Sequence, residues 1–204
     1  MTGPPLVRAG AAALGDALND GHVIAVPGVG GYQLAARHGA PGVTALLALA
    51  AAGGDDAVPF VAIGRIAQAG DVTSDWSEVI RRVAIRFWPG PLVLIVGETD
   101  RSVRITMPPG RALRVLCRRK GPLVMAAAHG ADGRPLTDPD RVRSAFDATE
   151  VALVVDGGTR EGPGPSVLDC RVTPPVVFEV GALPQSYIEA ALIVGGRRRW
   201  MSRS

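Results

Sequence analysis

Eight short apolar runs constrain this chain more than any other feature. They are residues 22–27, 59–63, 92–96, 103–107, 123–128, 151–155, 166–172 and 176–180. Each is five to seven residues long, and most ends are bounded by glycine, proline or charged residues. That is the length of a buried strand, and too short for a core helix. None approaches the ~18–20 apolar residues that a membrane helix needs. Segments with helical spacing separate several of the runs. The spacing predicts helices over 8–19, ending near Gly21, over 43–52, over 74–86, and from Pro109 to Cys117. Capping boxes at Thr137/Asp140 and Ser186/Glu189 predict two more, to Phe146 and to Ile193. A further helix is expected from Tyr32 to His38, after a glycine-rich turn at Gly28 to Gly31. Strands and helices alternate at first and strands dominate later. The pattern predicts a single α/β domain with a twisted mixed sheet rather than a purely parallel one.

Composition narrows the function classes. A 47% hydrophobic content over 204 residues supplies one domain-sized core and excludes bulk disorder. Cys117 and Cys170 form no CxxC pair, so neither a disulfide scaffold nor a structural zinc site is expected. No metal or cofactor set is read from the chain. The first residues lack the basic and apolar regions of a secretory signal, so the expected location is cytoplasmic, with no membrane association. The net charge is +3, and of 22 basic residues only Lys120 is lysine. Residues 195–204 carry Arg197, Arg198, Arg199 and Arg203. They read as a solvated tail, or as a weak electrostatic arm whose nucleic-acid binding would be weak at most and salt-sensitive. The expected organisation is an extension over 1–8, a domain over 9–194 and the basic tail over 195–204.

Few residues stand out for chemistry. The turn Gly28-Val29-Gly30-Gly31-Tyr32-Gln33 resembles part of a dinucleotide fingerprint. Gln33, however, stands where that motif wants a small residue, and the next strand ends in Gly64-Arg65 with no ribose-binding acid. A tight, ligand-facing turn is the better reading, with a merely structural turn as the alternative. Ser166 lies in no G-x-S-x-G elbow. His22 and His38 read as structural. His129 ends a strand, where a sheet delivers side chains to a cleft.

The order of several segments resembles the YrdC-like family, which includes the L-threonylcarbamoyl-adenylate synthases of tRNA modification. The family's P-T-[DE]-T-x-Y-G-L stands here as Pro27-Gly28-Val29-Gly30-Gly31-Tyr32-Gln33-Leu34. Its W-P-G-P-L block is intact at Trp88-Pro89-Gly90-Pro91-Leu92. Its K-x-R and following K-P-L stand as Ala52-Gly53-Gly54 and Val58-Pro59-Phe60, and its R-x-P as Thr106-Met107-Pro108. Its S-A-N stands as Ala127-Ala128-His129, its S-T-V-V-D as Pro165-Ser166-Val167-Leu168-Asp169, and its L-R-x-G-A as Phe178-Glu179-Val180-Gly181-Ala182. The residues that turn and pack the chain are kept. Those the family uses on ATP, threonine and bicarbonate are lost.

The resemblance implies a YrdC-like domain with an open concave cleft, rimmed by the Gly28–Gln33 turn, the His129 loop and the strand from Ser166 to Asp169. A triphosphate in that cleft would meet no fixed charge at the matched positions. Arg65 or Arg104, which match no motif position, are the nearest substitutes. The expected function is a small-molecule cleft put to a new use, as a biosynthetic enzyme or as one subunit of one. Retained synthase activity and a non-catalytic RNA- or protein-binding module are the rival expectations. The expected site has His129 as proton carrier, with Gly28, Gly30, Tyr32, Gln33, Arg65, Arg104, Ser166 and Asp169 around the ligand.

Overall fold

The computed structural model describes residues 3–10 and 12–196. Arg197 to Ser204, the arginine-rich part of the tail, lie outside the described residues. One mixed sheet organises the domain. Its strands are β1 (Leu6–Arg8), β2 (Ile24–Pro27), β3 (Tyr32–Arg37), β4 (Phe60–Ala62), β5 (Leu92–Val96), β6 (Val103–Thr106), β7 (Leu123–Ala127), β8 (Leu153–Asp156), β9 (Ser166–Asp169) and β10 (Val176–Glu179). They lie in the order β1-β8-β2-β3-β7-β4-β6-β5-β9-β10. The helices are α1 (Ala12–Asn19), α2 (Gly42–Ala50), α3 (Glu78–Phe87), α4 (Arg111–Lys120), α5 (Pro139–Ala145) and α6 (Gln185–Gly196). Among the described residues no helix is long and apolar enough to cross a membrane.

The register sorts side chains onto two faces. Val124, Val61, Ile105, Leu94, Leu168 and Val177 are successive partners across six strands and therefore share one face. Four helices cover that face. α2 and α5 bring Leu46, Ala50 and Val142 against Leu34, Ala126 and Val154. α3 and α6 bring Ile80, Val83, Phe87 and Ile188 against Leu92, Leu94 and Leu168. On the opposite face only part of the sheet is covered, where α1 and α4 bring Leu14, Leu18, Leu113 and Cys117 against Ile24, Val26, Ala35 and Met125. Beyond them Val93, Ile95 and Val167 form a small cluster with Phe60 to which no described helix contributes. No described helix covers that bare stretch of sheet, and Val93 and Phe60 of it line the open hollow.

Three sequence expectations are corrected. Residues 32–37 are strand β3, not a helix, and its first five residues are buried. Leu34 and Ala36 face α2 while Ala35 faces α1, so both sides are apolar and the alternation of a half-buried strand is erased. The segment Leu6–Arg8, expected as an extension before the domain, pairs in parallel with β8 and forms the sheet edge. Helix starts also shift: Ser77 rather than Ser74 caps α3, accepting the Ile80 N–H, and Asp138 rather than Thr137 caps α5, accepting the Arg141 N–H. α6 begins at Gln185, one residue before the expected cap at Ser186.

Candidate functional site: an open cavity beside the bare face

The main hollow has a volume of about 790 Å³, within the range of small-molecule sites. Its centre is walled by the turn at Gly28 and Val29, by Gln33, and by Phe60, Gly90, Pro91 and Thr106. One limb runs between α1 and α4. A loop from Gly157 to Pro165 closes the far wall, where Asp156, Arg160 and Pro165 face the hollow. A shallower hollow of about 410 Å³ continues along the bare face past Phe60 to Arg104, Arg171 and Phe178.

The glycine turn keeps its shape by close backbone packing. Gly28 donates to the Gly31 carbonyl at 2.9 Å, closing the turn. Gly30 has φ +76°, and a Cβ there would lie 2.8 Å from the Gly164 nitrogen, so only glycine fits. Tyr32, which is 1% exposed, ties the turn to the far wall. Its hydroxyl accepts the Gly157 N–H at 3.0 Å and donates to the Gly158 carbonyl at 3.2 Å. Burial pushes the Tyr32 phenol up from its ordinary value. Tyr32 therefore holds the loop that carries Arg160 and does not itself line the hollow.

The expected site residues separate into groups. Gly28 and Gln33 line the main hollow, and Gly30 supports their turn from behind. Arg104 and Asp169 lie on the bare face as successive partners of Ile95. The Arg104 guanidinium sits 5.6 Å from the Phe178 ring, and Arg171 binds the Asp169 carboxylate at 2.6 Å. Arg171 accordingly holds that carboxyl below its ordinary value. Arg65 is exposed and lines neither hollow. Ser166 is fully buried, and its hydroxyl is spent on the backbone of Gly181 and Leu183.

His129 also lies away from both hollows. It is 5% exposed, and its Nδ1 is 3.2 Å from the Ala127 carbonyl. A Cβ on Gly53 would collide with that ring, so the glycine of the Ala52-Gly53-Gly54 stretch leaves the space the imidazole fills. His129→Ala is expected to cost about 1–3 kcal/mol of stability, the range for losing a buried, partnered polar side chain. It should leave binding in the main hollow unchanged. Calorimetric melting paired with a binding titration checks this. Lost affinity at an unchanged melting temperature would return His129 to the ligand.

Sequence reasoning missed the cations. Arg111, Arg119 and Lys120 of α4 and Arg160 of the far wall all line the main hollow. The expectation of a cleft with no fixed charge fails for the hollow as a whole. Gln68 was missed as well. It is 4% exposed; its side-chain amide donates to the Cys117 carbonyl at 2.8 Å and its oxygen accepts the Gly64 N–H at 2.9 Å. These bonds pin α4 to the end of β4 and so fix where the α4 cations stand. The two thiols offer no nucleophile, because burial pushes Cys117 and Cys170 each up to about 12.

A mixed sheet with one half-bare face, and a hollow between a glycine turn and two helices, defines an α/β domain with an open cleft. Residues 16–181 match the Sua5/YciO/YrdC family, described as telomere recombination, and the chain belongs to that family. The threonylcarbamoyl-AMP synthase of Bacillus subtilis is 31% identical over 146 residues, which is 65% of this chain and 42% of that protein. The synthase of Pyrococcus abyssi is 30% identical over 128 residues, 56% of this chain and 37% of that protein. The chain thus spans about two-fifths of the length of these curated relatives. Among solved structures, P. abyssi Sua5 complexed with L-threonine superposes at TM-score 0.78 with 23% identity, over 92% of this chain and 60% of that one. E. coli YciO superposes at TM-score 0.75 with 16% identity, over 89% of this chain and 97% of that one.

Proposed function

We propose that the main hollow binds a small molecule other than the synthase substrates, and that the chain acts as a biosynthetic enzyme or as one subunit of one. One observation carries this reading. The positions matched to the family's basic substrate contacts hold no cation here: they are Ala52, Gly54, Val58 and Thr106. Thr106 is no polar substitute, because it is 5% exposed and its hydroxyl donates to the Leu92 carbonyl at 2.7 Å. The position of the S-A-N asparagine holds His129, packed beside Gly53. Charge-assisted contacts contribute ~1.5–3 kcal/mol each. Losing several from one triphosphate site removes many decades of affinity. The cations of the hollow lie instead on α4 and on the far wall, a different placement that suits a different ligand.

Protein supplied with ATP, threonine and bicarbonate is therefore expected to release pyrophosphate no faster than a blank. The second reading is retained threonylcarbamoyl-adenylate synthesis, favoured by the 31% identity to the B. subtilis enzyme. Pyrophosphate release above the blank, with threonylcarbamoyl-adenylate as product, would establish that second reading and end the first. A thermal-shift screen of metabolites then identifies the ligand, because a compound that binds the folded state raises the melting temperature. Gln33→Ala serves as the site control. Any RNA binding through the arginine tail is a side property of this reading, weak and lost with salt.

A further inference from the structure

The limb of the hollow between α1 and α4 has a chemistry of its own. Lys120, the single lysine of the chain, lines it. The lysine lies across α1 at Gly15, where a Cβ would come within 2.6 Å of Cε and 3.0 Å of Nζ. Gly15 is thus the gap that admits this side chain between the helices. Arg119, its neighbour on the last turn of α4, lines the same hollow. Arg118 does not, since its stem packs at Gly64.

A bland account exists for basic residues on the last turn of a helix, because they offset its carbonyl end. That end carries roughly half a negative charge, so one cation would suffice. α4 places three there, Arg118, Arg119 and Lys120, and turns two of them into the hollow. Arg111 and Arg160 line the same space. Among the described residues the ion pairs use Arg81, Arg82, Arg134, Arg141, Arg143 and Arg171, and none of the four cavity cations. Two carboxylates, Asp16 and Asp156, also line the hollow, so its wall keeps an excess of two positive charges. That excess matches a phosphate dianion better than a carboxylate, which a single arginine satisfies. Leu14, Leu113 and Leu116 wall the limb with apolar surface suited to an organic body. The family match begins at residue 16, so Ala12, Leu14 and Gly15 of this limb precede it.

We infer that the α1–α4 limb is a subsite for the phosphate of an organic phosphate, held by Lys120 and Arg119. This deepens the reading of the hollow as a small-molecule site and rests on it. Because Lys120 is the single lysine, an amine reagent reports on it without ambiguity. The full chain is treated with an acetylating succinimidyl ester, with and without inorganic pyrophosphate, and its acetylated residues are followed by mass spectrometry. Pyrophosphate should slow acetylation of Lys120 about fivefold or more and leave the chain's terminal amine unaffected. Calorimetric titration of pyrophosphate should show affinity falling about tenfold or more in Lys120→Ala and in Arg119→Ala. Affinity should stay unchanged in Arg81→Ala, whose arginine pairs with Glu78 on the far face. Absence of pyrophosphate binding at millimolar concentration, absence of protection, or binding indifferent to both substitutions would each overturn the subsite. The two readings can fail separately. A screened ligand weakened by Gln33→Ala but not by Lys120→Ala keeps the hollow as the site and removes the phosphate limb. Lys120-dependent pyrophosphate binding, with no screened ligand sensitive to Gln33→Ala, keeps the limb and removes the reading of the centre.

Discussion

Trp88→Ala is expected to lower stability by about 3–5 kcal/mol, the range for truncating a buried tryptophan. Trp88 is 6% exposed and belongs to the cluster that α3 and α6 close over the sheet. Its Nε1 donates to the Leu92 carbonyl at 2.7 Å, and its ring stacks on Trp76 with centroids 6.0 Å apart. The substitution removes the packing, the stack and the bond together. For a domain of this size the melting temperature should fall on the order of 10 °C. Trp76→Ala should cost less, because that ring is only half-buried. The effect should reach the hollow too, since Gly90 and Pro91, which follow Trp88 after Pro89, form part of its wall. Thermal melts of the two variants decide the point. A loss below about 1 kcal/mol for Trp88→Ala would mean that the cluster closes without it.

Gly30→Ala is expected to cost about 2–3 kcal/mol and to disable the hollow. Two effects add. The φ of +76° is a left-handed conformation, worth roughly 1–2 kcal/mol against any residue with a Cβ. The new methyl would also stand 2.8 Å from the Gly164 nitrogen, 2.9 Å from the Pro163 carbonyl carbon and 3.0 Å from the Gly162 oxygen. Those atoms are backbone and cannot rotate away, so the far-wall loop must shift, and Arg160 with it. Gly133→Ala separates the effects. Gly133 has φ +73° with nothing within 4 Å of its would-be Cβ, so it should show the conformational cost alone. Equal losses in the two variants, with pyrophosphate affinity intact in Gly30→Ala, would mean that the contact with the far wall is unimportant.

The elements legible in the sequence are those whose signal is local. α3 was readable from the apolar positions Trp76, Val79, Ile80 and Val83; Ile80 and Val83 are buried, whereas Val79 is exposed and Trp76 lies before the helix. β5 was readable because Leu92–Val96 is an unbroken apolar run between a proline and a glycine, and all five residues are buried. The hinge block Phe87-Trp88-Pro89-Gly90 carried the family resemblance because packing and turning are written in residue type. β3 was not legible. Its run Tyr32–Arg37 contains alanines at home in a helix, and it becomes a strand because β2 and β7 pair with it on either side. β1 is three residues long and is a strand only because β8 offers its edge.

The candidate site divides in the same way. Gly28 and Gln33 could be named from sequence, since a glycine turn after a strand is a local feature that faces a cleft. Lys120 and Arg119 could not, because they lie more than eighty residues from that turn and read as an ordinary basic end of a helix. Their place in the hollow is decided by Gln68, which fixes α4, and by the missing side chain of Gly15. His129 shows the converse. A strand end made it look available, yet burial is set by whatever packs on top, and the space beside Gly53 belongs to another segment of the chain. Sequence by itself determined which residues can turn, pair and pack, since those are properties of a residue and its near neighbours. Tertiary structure alone decided which charges share a cavity, because that depends on contacts between segments far apart in the chain.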